Sequence, residues 1–266
     1  MIDLMDFVAP SVKILTRGVW DEDSVVVNFD EGFAPSITDE MRIAALARFL
    51  TRLETNPNLF DGEARHLSLK RSRVDGNMLR LALGPLTYAL YDMCRKEFIE
   101  AFDWEIENLP MGVGMDVVVI TSDSKIVMDI RSQAVDFPGI IALPGGILDE
   151  NNPFRHVRRE LWEELAIECG EVGNLFLLGI AQRLARRIGI GLSFFAEVSV
   201  SAHDVTRRQP DAKEKEGEVF FLECVPEAVR NFIREKHERM VPSQVFCLIQ
   251  AGCHLWGPEW SKIGAD

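Results

Sequence analysis

The chain has no long apolar run. Stretches such as Val117-Val118-Val119-Ile120 are far too short to cross a bilayer, so no membrane role is expected. No basic segment follows Met1, where Asp3 and Asp6 stand instead; a secretory signal is not expected and a cytoplasmic location is. The cysteines (Cys94, Cys169, Cys224, Cys247 and Cys253) are odd in number and scattered, and none forms a Cys-x-x-Cys pair. Buried, reduced thiols are the expectation. Positive charge is scarce: 29 Lys and Arg face 42 Asp and Glu, a formal net charge of -13. That balance argues against nucleic acid or an anionic membrane as the main partner. A small phosphorylated ligand stays open, because local charge governs its binding. The five histidines show no metal-ligand spacing, and there are no repeats or low-complexity tracts. His66 and His254 sit among apolar residues and read as core; His156 reads as a surface residue.

What is present is an ordinary globular composition. The 266 residues, 47% of them apolar, suffice for one large or two small domains. Two hydrophobic systems follow each other. In the first, Ser11 to Leu15 and Ser24 to Phe29 read as strands. Thr38 to Leu53 reads as an amphipathic helix with Ile43, Leu46, Leu50 and Leu53 on its buried face. Asp75-Gly76 marks a hairpin, and a second helix is expected from Thr87 to Phe102. The stretch from Asp103 to Pro110 reads as a connector. In the second system, Val117 to Ile120 and Ile126 to Arg131 flank a turn at 121–125. A short strand, Ile140 to Leu143, runs into Pro144-Gly145-Gly146. Strands at 175–184, 191–200 and 218–223 and helices at 226–237 and 242–255 complete the reading. The domains expected are 1–110 and 111–266.

The chemistry concentrates after that glycine turn. Asn152-Pro153 is a good helix start, with asparagine at the cap and proline at the first position. Glu160, Glu163 and Glu164 are spaced i, i+3, i+4 and share one face of that helix. Alone, a Glu-x-x-Glu-Glu reads as a solvated acidic face. With Pro-Gly-Gly at a fixed distance before it, a divalent cation with hard oxygen ligands is favoured. Gly145 and Gly146 let backbone approach a metal or a phosphate. Arg159, four residues before Glu163, can orient a carboxylate. Leu161 should face the core.

These residues resemble the Nudix hydrolase box, G-x5-E-x7-R-E-U-x-E-E-x-G-U, where U is aliphatic. Counted from Gly145, Arg159, Glu160, Leu161, Glu163, Glu164 and Ile167 fall in register. Asn151 stands at the early Glu, with Glu150 one residue before it, and Ala166 stands at the late Gly. The stretches Asn56-Pro-Asn-Leu-Phe-Asp-Gly62, Pro110-Met-Gly-Val-Gly114 and Leu178-Gly-Ile-Ala181 resemble the UDP-glucose/UDP-galactose diphosphatase branch of that superfamily. The resemblance implies an α/β fold: an α/β/α Nudix sandwich with an N-terminal α+β domain. It implies Mg²⁺, or Mn²⁺, held by Glu160, Glu163, Glu164 and Gly145. The expected activity is hydrolysis of a UDP-sugar to UMP and a sugar 1-phosphate by a monomer or homodimer. ADP-ribose is the alternative substrate, and a non-catalytic nucleotide-sensing module the alternative class. Nudix enzymes often take a catalytic Glu from outside the box, which points to Glu216 or Glu218, with Glu197 a third candidate. Arg131, Arg183, Arg186 and Arg187 are candidates for the diphosphate, since guanidinium forks match phosphate oxygens.

Overall fold

The computed structural model describes all residues except 1, 36, 56–60, 96–98, 101–108, 133–138, 186–187, 210–211, 213–216 and 264–266. The first part of the chain forms β1 (Ile2–Asp3), β2 (Val12–Trp20), β3 (Val25–Phe29), α1 (Asp39–Thr55), β4 (Glu63–Leu67), β5 (Arg73–Asp75), β6 (Met78–Thr87) and α2 (Tyr88–Met93). Next come β7 (Val113–Ile120), β8 (Lys125–Arg131), β9 (Ile141–Ala142), α3 (Pro153–Leu165), β10 (Val172–Arg183) and β11 (Gly189–Val198). The chain closes with α4 (Ala202–Arg208), β12 (Gly217–Glu223), α5 (Pro226–Lys236), α6 (Pro242–Trp256) and β13 (Lys262–Ile263).

Strand β7 organises the molecule. Its alternation sends Val113, Met115, Val117 and Val119 to one face, where they join Phe154, Val157 and Leu161 of α3 in one apolar cluster. Val118 belongs to the opposite cluster with Phe246, Leu248 and Ile249 of α6. Helix, mixed sheet and helix therefore form three layers, an α/β architecture. The sheet runs β12-β8-β7-β11-β10-β2, with β9 added on β8. β7 and β11 are parallel; the other pairs in it are antiparallel. β2 is hydrogen bonded to β10, and β1 pairs with β13, so main-chain pairing crosses the division expected at 110. A second sheet, β3-β6-β4 with β5 on β6, lies before that division. Its Leu79, Leu81 and Leu83 belong to the same apolar cluster as α3.

Several local expectations hold. Asp75 and Met78 close the first hairpin around Gly76, whose φ of +63° suits glycine. Ile120 and Ile126 close the second. The closing helices fall within a residue of their expected ends.

The face assigned to α1 is wrong. Ile43, Leu46 and Leu50 are 69%, 57% and 52% exposed, while Met41 and Ala45 are buried. The cause is an ion-pair cluster on the other side of the helix. Arg48 Nε donates to the buried Asp92 carboxylate at 2.6 Å, and Arg52 lies 3.0 Å from it. Met41, Ala45, Arg48 and Arg52 recur at helical spacing and define the inward face. The second helix is also shorter than expected; α2 ends at Met93, and 96–98 and 101–108 lie outside the described residues.

His66 on β4, half-buried and hydrogen bonded, joins the two parts of the chain. Its Nδ1 accepts the Met111 N–H at 2.9 Å, just before β7. Burial pulls its pKa down from 6.5 to about 4. The folded value lies below the unfolded one, so the neutral ring contributes stability above pH 6.5 that is lost as pH falls toward 4. The loss should reach about 3 kcal/mol. In His66→Asn, whose Oδ1 can accept the same N–H, the fall in thermal midpoint between pH 7 and 4.5 should be clearly shallower. Equal slopes in the two proteins would remove His66 as the cause.

Candidate functional site

Helix α3 starts as read. The Asn152 side chain accepts the N–H groups of Phe154 and Arg155, and Pro153 takes the first turn. The helix ends at Ala166, in the left-handed region at φ +55°. A side chain there costs energy that glycine avoids. Ala166→Gly should therefore stabilise the protein by about 0.5 kcal/mol, read as a thermal midpoint raised by roughly 1–2 °C. An unchanged or lower midpoint would show the bend to be unstrained.

Glu160, Glu163 and Glu164 are each nine-tenths buried or more, so the solvated-face reading of this helix does not hold. Leu161 is fully buried against the sheet, and Trp162 is half exposed. The 144–146 turn is strapped to β7: Met115 N–H donates to Gly146 O at 2.8 Å and Val117 N–H to Pro144 O at 2.9 Å. Gly145, at φ +146°, has no room for a side chain, since a Cβ would lie 2.1 Å from Met115 O. Its N–H donates to Glu164 Oε2 at 3.1 Å. A Cβ on Gly146 would meet the Glu160 carboxyl at 2.8 Å. Turn and carboxylates are therefore in direct contact.

Arg159 collects the surrounding charge. Its guanidinium lies 2.7 Å from Asp149, 3.2 Å from Glu150, 3.4 Å from Glu160 and 3.5 Å from Glu163. The surface assignment of His156 is corrected: its side chain is fully buried. Nδ1 is 2.8 Å from Asp149 Oδ1, and Nε2 is 3.1 Å from Glu160 Oε1 but off the hydrogen-bond angle. The reason is local: His156 and Glu160 are i, i+4 on the face that packs under the loop. Burial pulls the His156 pKa down, but the bond to Asp149 and the charges of Asp149 and Glu160 outweigh it and raise it. Burial pushes the Asp149 carboxyl up, but His156 and Arg159 hold it at about 2.

Asp149, Glu150 and His156 offer ligand-type atoms within 4.8 Å of one another, the one such group among the described residues. Asp149 and His156 were not read as site residues. The i, i+4 spacing of His156 to Glu160 was legible; the return of Asp149 onto the helix was not. The donor set fits a hard divalent cation, because oxygens dominate: four carboxylates gather around one guanidinium, and a fifth, Glu164, meets the Gly145 N–H.

The remaining candidates are spread more widely. Glu164 and Gly217 line one small cavity with Asp129, Pro144 and Gln209, which brings the start of β12 to the helix. Burial pushes the Asp129 carboxyl up to about 6. Glu218 follows Gly217 and is exposed; Glu216 lies outside the described residues. Glu197 is exposed and bonded to Asn174, in the outer part of β11. Arg131 ends β8, opposite Gly217. Arg183 ends β10, where it donates to the Tyr91 hydroxyl at 3.0 Å. Arg186 and Arg187 lie outside the described residues, as do positions 56–60 of the first branch-like stretch.

Asn151, at the early Glu of the box, has a partner of its own. The nearly buried Arg65 of β4 donates from Nε to Asn151 Oδ1 at 2.8 Å. Glu22 accepts from Asn152 at 3.0 Å and from Arg158 at 2.8 Å. The residues before 110 thus grip both the loop and the first turns of α3.

No protein-family model matches the chain, and no curated protein matches it. Solved structures similar to it include Nudix hydrolases. The Nudix domain of Shewanella oneidensis NrtR, complexed with ADP ribose, is 17% identical over 60% of this chain and 98% of that one, at a TM-score of 0.41. A Nudix hydrolase from Nitrosomonas europaea is 18% identical over 54% of this chain and 89% of that one, also at 0.41. A bifunctional NMN adenylyltransferase/ADP ribose pyrophosphatase from Francisella tularensis is 19% identical over 53% of this chain, at 0.37. The match spans 40% of that enzyme's length.

Proposed function

We propose that this chain is a Nudix hydrolase that uses a divalent cation to split the diphosphate of a nucleoside diphosphate derivative. The leading substrate is a UDP-sugar such as UDP-glucose or UDP-galactose, giving UMP and a sugar 1-phosphate. The observation that carries this reading is the contact between the buried carboxylates of α3 and the Gly145-Gly146 turn. Buried carboxylates in such number need a cation, and the turn leaves backbone free to approach a phosphate.

Glu160, Glu163 and Glu164 would hold Mg²⁺ or Mn²⁺, with Gly145 beside them. When bound, the metal supplies Lewis acidity and neutralises charge on the diphosphate. The protein's part is positioning. The Gly145 N–H fixes one oxygen of Glu164, and His156 and Arg159 fix Glu160. Glu218 or Glu216, the sequence neighbours of Gly217, is the proposed base for the attacking water; Gly217 itself lines the cavity that Glu164 lines. Arg131 and Arg187 are proposed to face the substrate's phosphates, and Gly146 to give them room, while Arg183, held beside Asp116, is left to the part of the substrate beyond them.

The test is turnover of UDP-glucose, UDP-galactose and ADP-ribose with Mg²⁺ or Mn²⁺, with products separated by ion-pair chromatography. UMP and sugar 1-phosphate from the UDP-sugars support the reading. Faster release of AMP and ribose 5-phosphate from ADP-ribose would move the substrate and keep the reaction. Tight nucleotide binding with no hydrolysis of any of the three would make the chain a sensing module.

A further inference from the structure

The face of β7 turned away from α3 carries a polar cluster that the proposed metal chemistry does not use. Asp116 on β7 is 8% exposed, and Ser243 and Gln244 in the first turn of α6 are 2% and 6% exposed. Both side chains face the Asp116 carboxyl, and Arg183 acts on it from the end of β10. Burial pushes that carboxyl up, and these three neighbours act against the rise. The Arg183 guanidinium lies 3.1 Å from where a Cβ on Gly114 would stand and 3.2 Å from one on Gly189, so glycines make its slot.

Two polar atoms here, Arg183 Nε and Gln244 Oε1, are buried with no hydrogen-bond partner among the described residues, while the Ser243 hydroxyl bonds to Asp116. Such atoms are rare in interiors and call for an explanation. The cluster also lies directly behind the candidate site. A Cβ on Gly145 would stand 3.2 Å from the Asp116 Cα, so the glycine turn rests on the same backbone.

The donors and acceptors select its chemistry. Asp116 and Gln244 Oε1 accept, Arg183 Nε–H donates, and Ser243 does either. A phosphate brings no proton to two acceptors and would be repelled by Asp116. An apolar group would leave every partner unmet. Neighbouring hydroxyls donate to the carboxylate and amide and accept from the guanidinium. We propose that Asp116, Arg183, Ser243 and Gln244 form a subsite for a vicinal diol, the sugar of a phosphorylated substrate. The proposal rests on the diphosphate reading in placing the phosphates at Gly145.

Calorimetry without divalent metal tests it on the full chain. The probes are UMP, AMP and glucose 1-phosphate, each against a counterpart with the diol removed. The intact protein should bind at least one diol form about tenfold more tightly. Asp116→Asn and Gln244→Leu should each bring that ratio below about threefold, with thermal midpoints within a few degrees of the parent. Whether the ratio is found with a nucleotide or with the sugar phosphate identifies which sugar occupies the subsite. Should Asp116→Asn not fold, Gln244→Leu and Ser243→Ala decide. A parent protein indifferent to the diol overturns the proposal, as does a preference that survives these substitutions. Diol preference without turnover of any nucleoside diphosphate derivative would keep the subsite and remove the hydrolase reading; turnover without the preference would do the reverse.

Discussion

Glu164→Gln is expected to lower kcat for the diphosphate substrate by on the order of 10²–10³-fold while the fold survives. Glutamine has the same length, and its Oε1 can still accept the Gly145 N–H that Glu164 accepts at 3.1 Å. The change therefore removes one negative charge and keeps that contact. A residue that only packed the helix would show a fall in thermal midpoint and a near-normal kcat. A metal ligand would show the opposite, together with weaker Mn²⁺ binding by electron paramagnetic resonance. Glu163→Gln should act in the same direction, and EDTA should abolish the turnover expected of the parent protein. An unchanged kcat in both variants would end the assignment of these carboxylates to a metal.

Arg159→Met should show the second large effect, on stability rather than on chemistry alone. Asp149, Glu150, Glu160 and Glu163 all lie within 3.5 Å of the guanidinium. Removing it leaves partly buried carboxylates facing one another. A fully buried pair broken in this way costs about 3–5 kcal/mol; here a third of the guanidinium side chain is exposed, so about 2 kcal/mol is expected. In EDTA the thermal midpoint should fall by roughly 4–8 °C. Mg²⁺ or Mn²⁺ should then raise the midpoint of the variant more than that of the parent, because a cation takes over the neutralisation. Equal metal-induced shifts in the two proteins would show that arginine and metal act on different carboxylates.

Helix α3 was legible because its signals are local. The Asn152-Pro153 start and the spacing of Glu160, Glu163 and Glu164 are fixed by helix geometry, whatever the chain does elsewhere. The same geometry placed Leu161 in the core. Its limits show at α1, where the periodicity of Ile43, Leu46 and Leu50 was real but the helix turned its arginines inward. Asp92, forty-four positions beyond Arg48, decided that rotation, and no local pattern announces such a partner. Likewise, nothing near Asn151 reveals Arg65, eighty-six positions earlier. The buried His156 is intermediate: its spacing to Glu160 was visible, but its burial depends on a loop that folds back through Asp149.

The pairing of β2 with β10 has a consequence for the order in which the molecule can assemble. Lys13 finds its partner in Gln182, and Ile2 finds its own in Ile263. During synthesis β2 emerges long before the strand that receives it, and β1 waits for the last described strand. The segment from β3 to α2 holds its own sheet and can gather while the ribosome is still at work. Closure of the large sheet must follow release of nearly the whole chain, a non-local step of the kind that slows folding. Until then β2 is an unpaired edge, and a nascent chain halted before residue 183 carries the strand most exposed to mispairing.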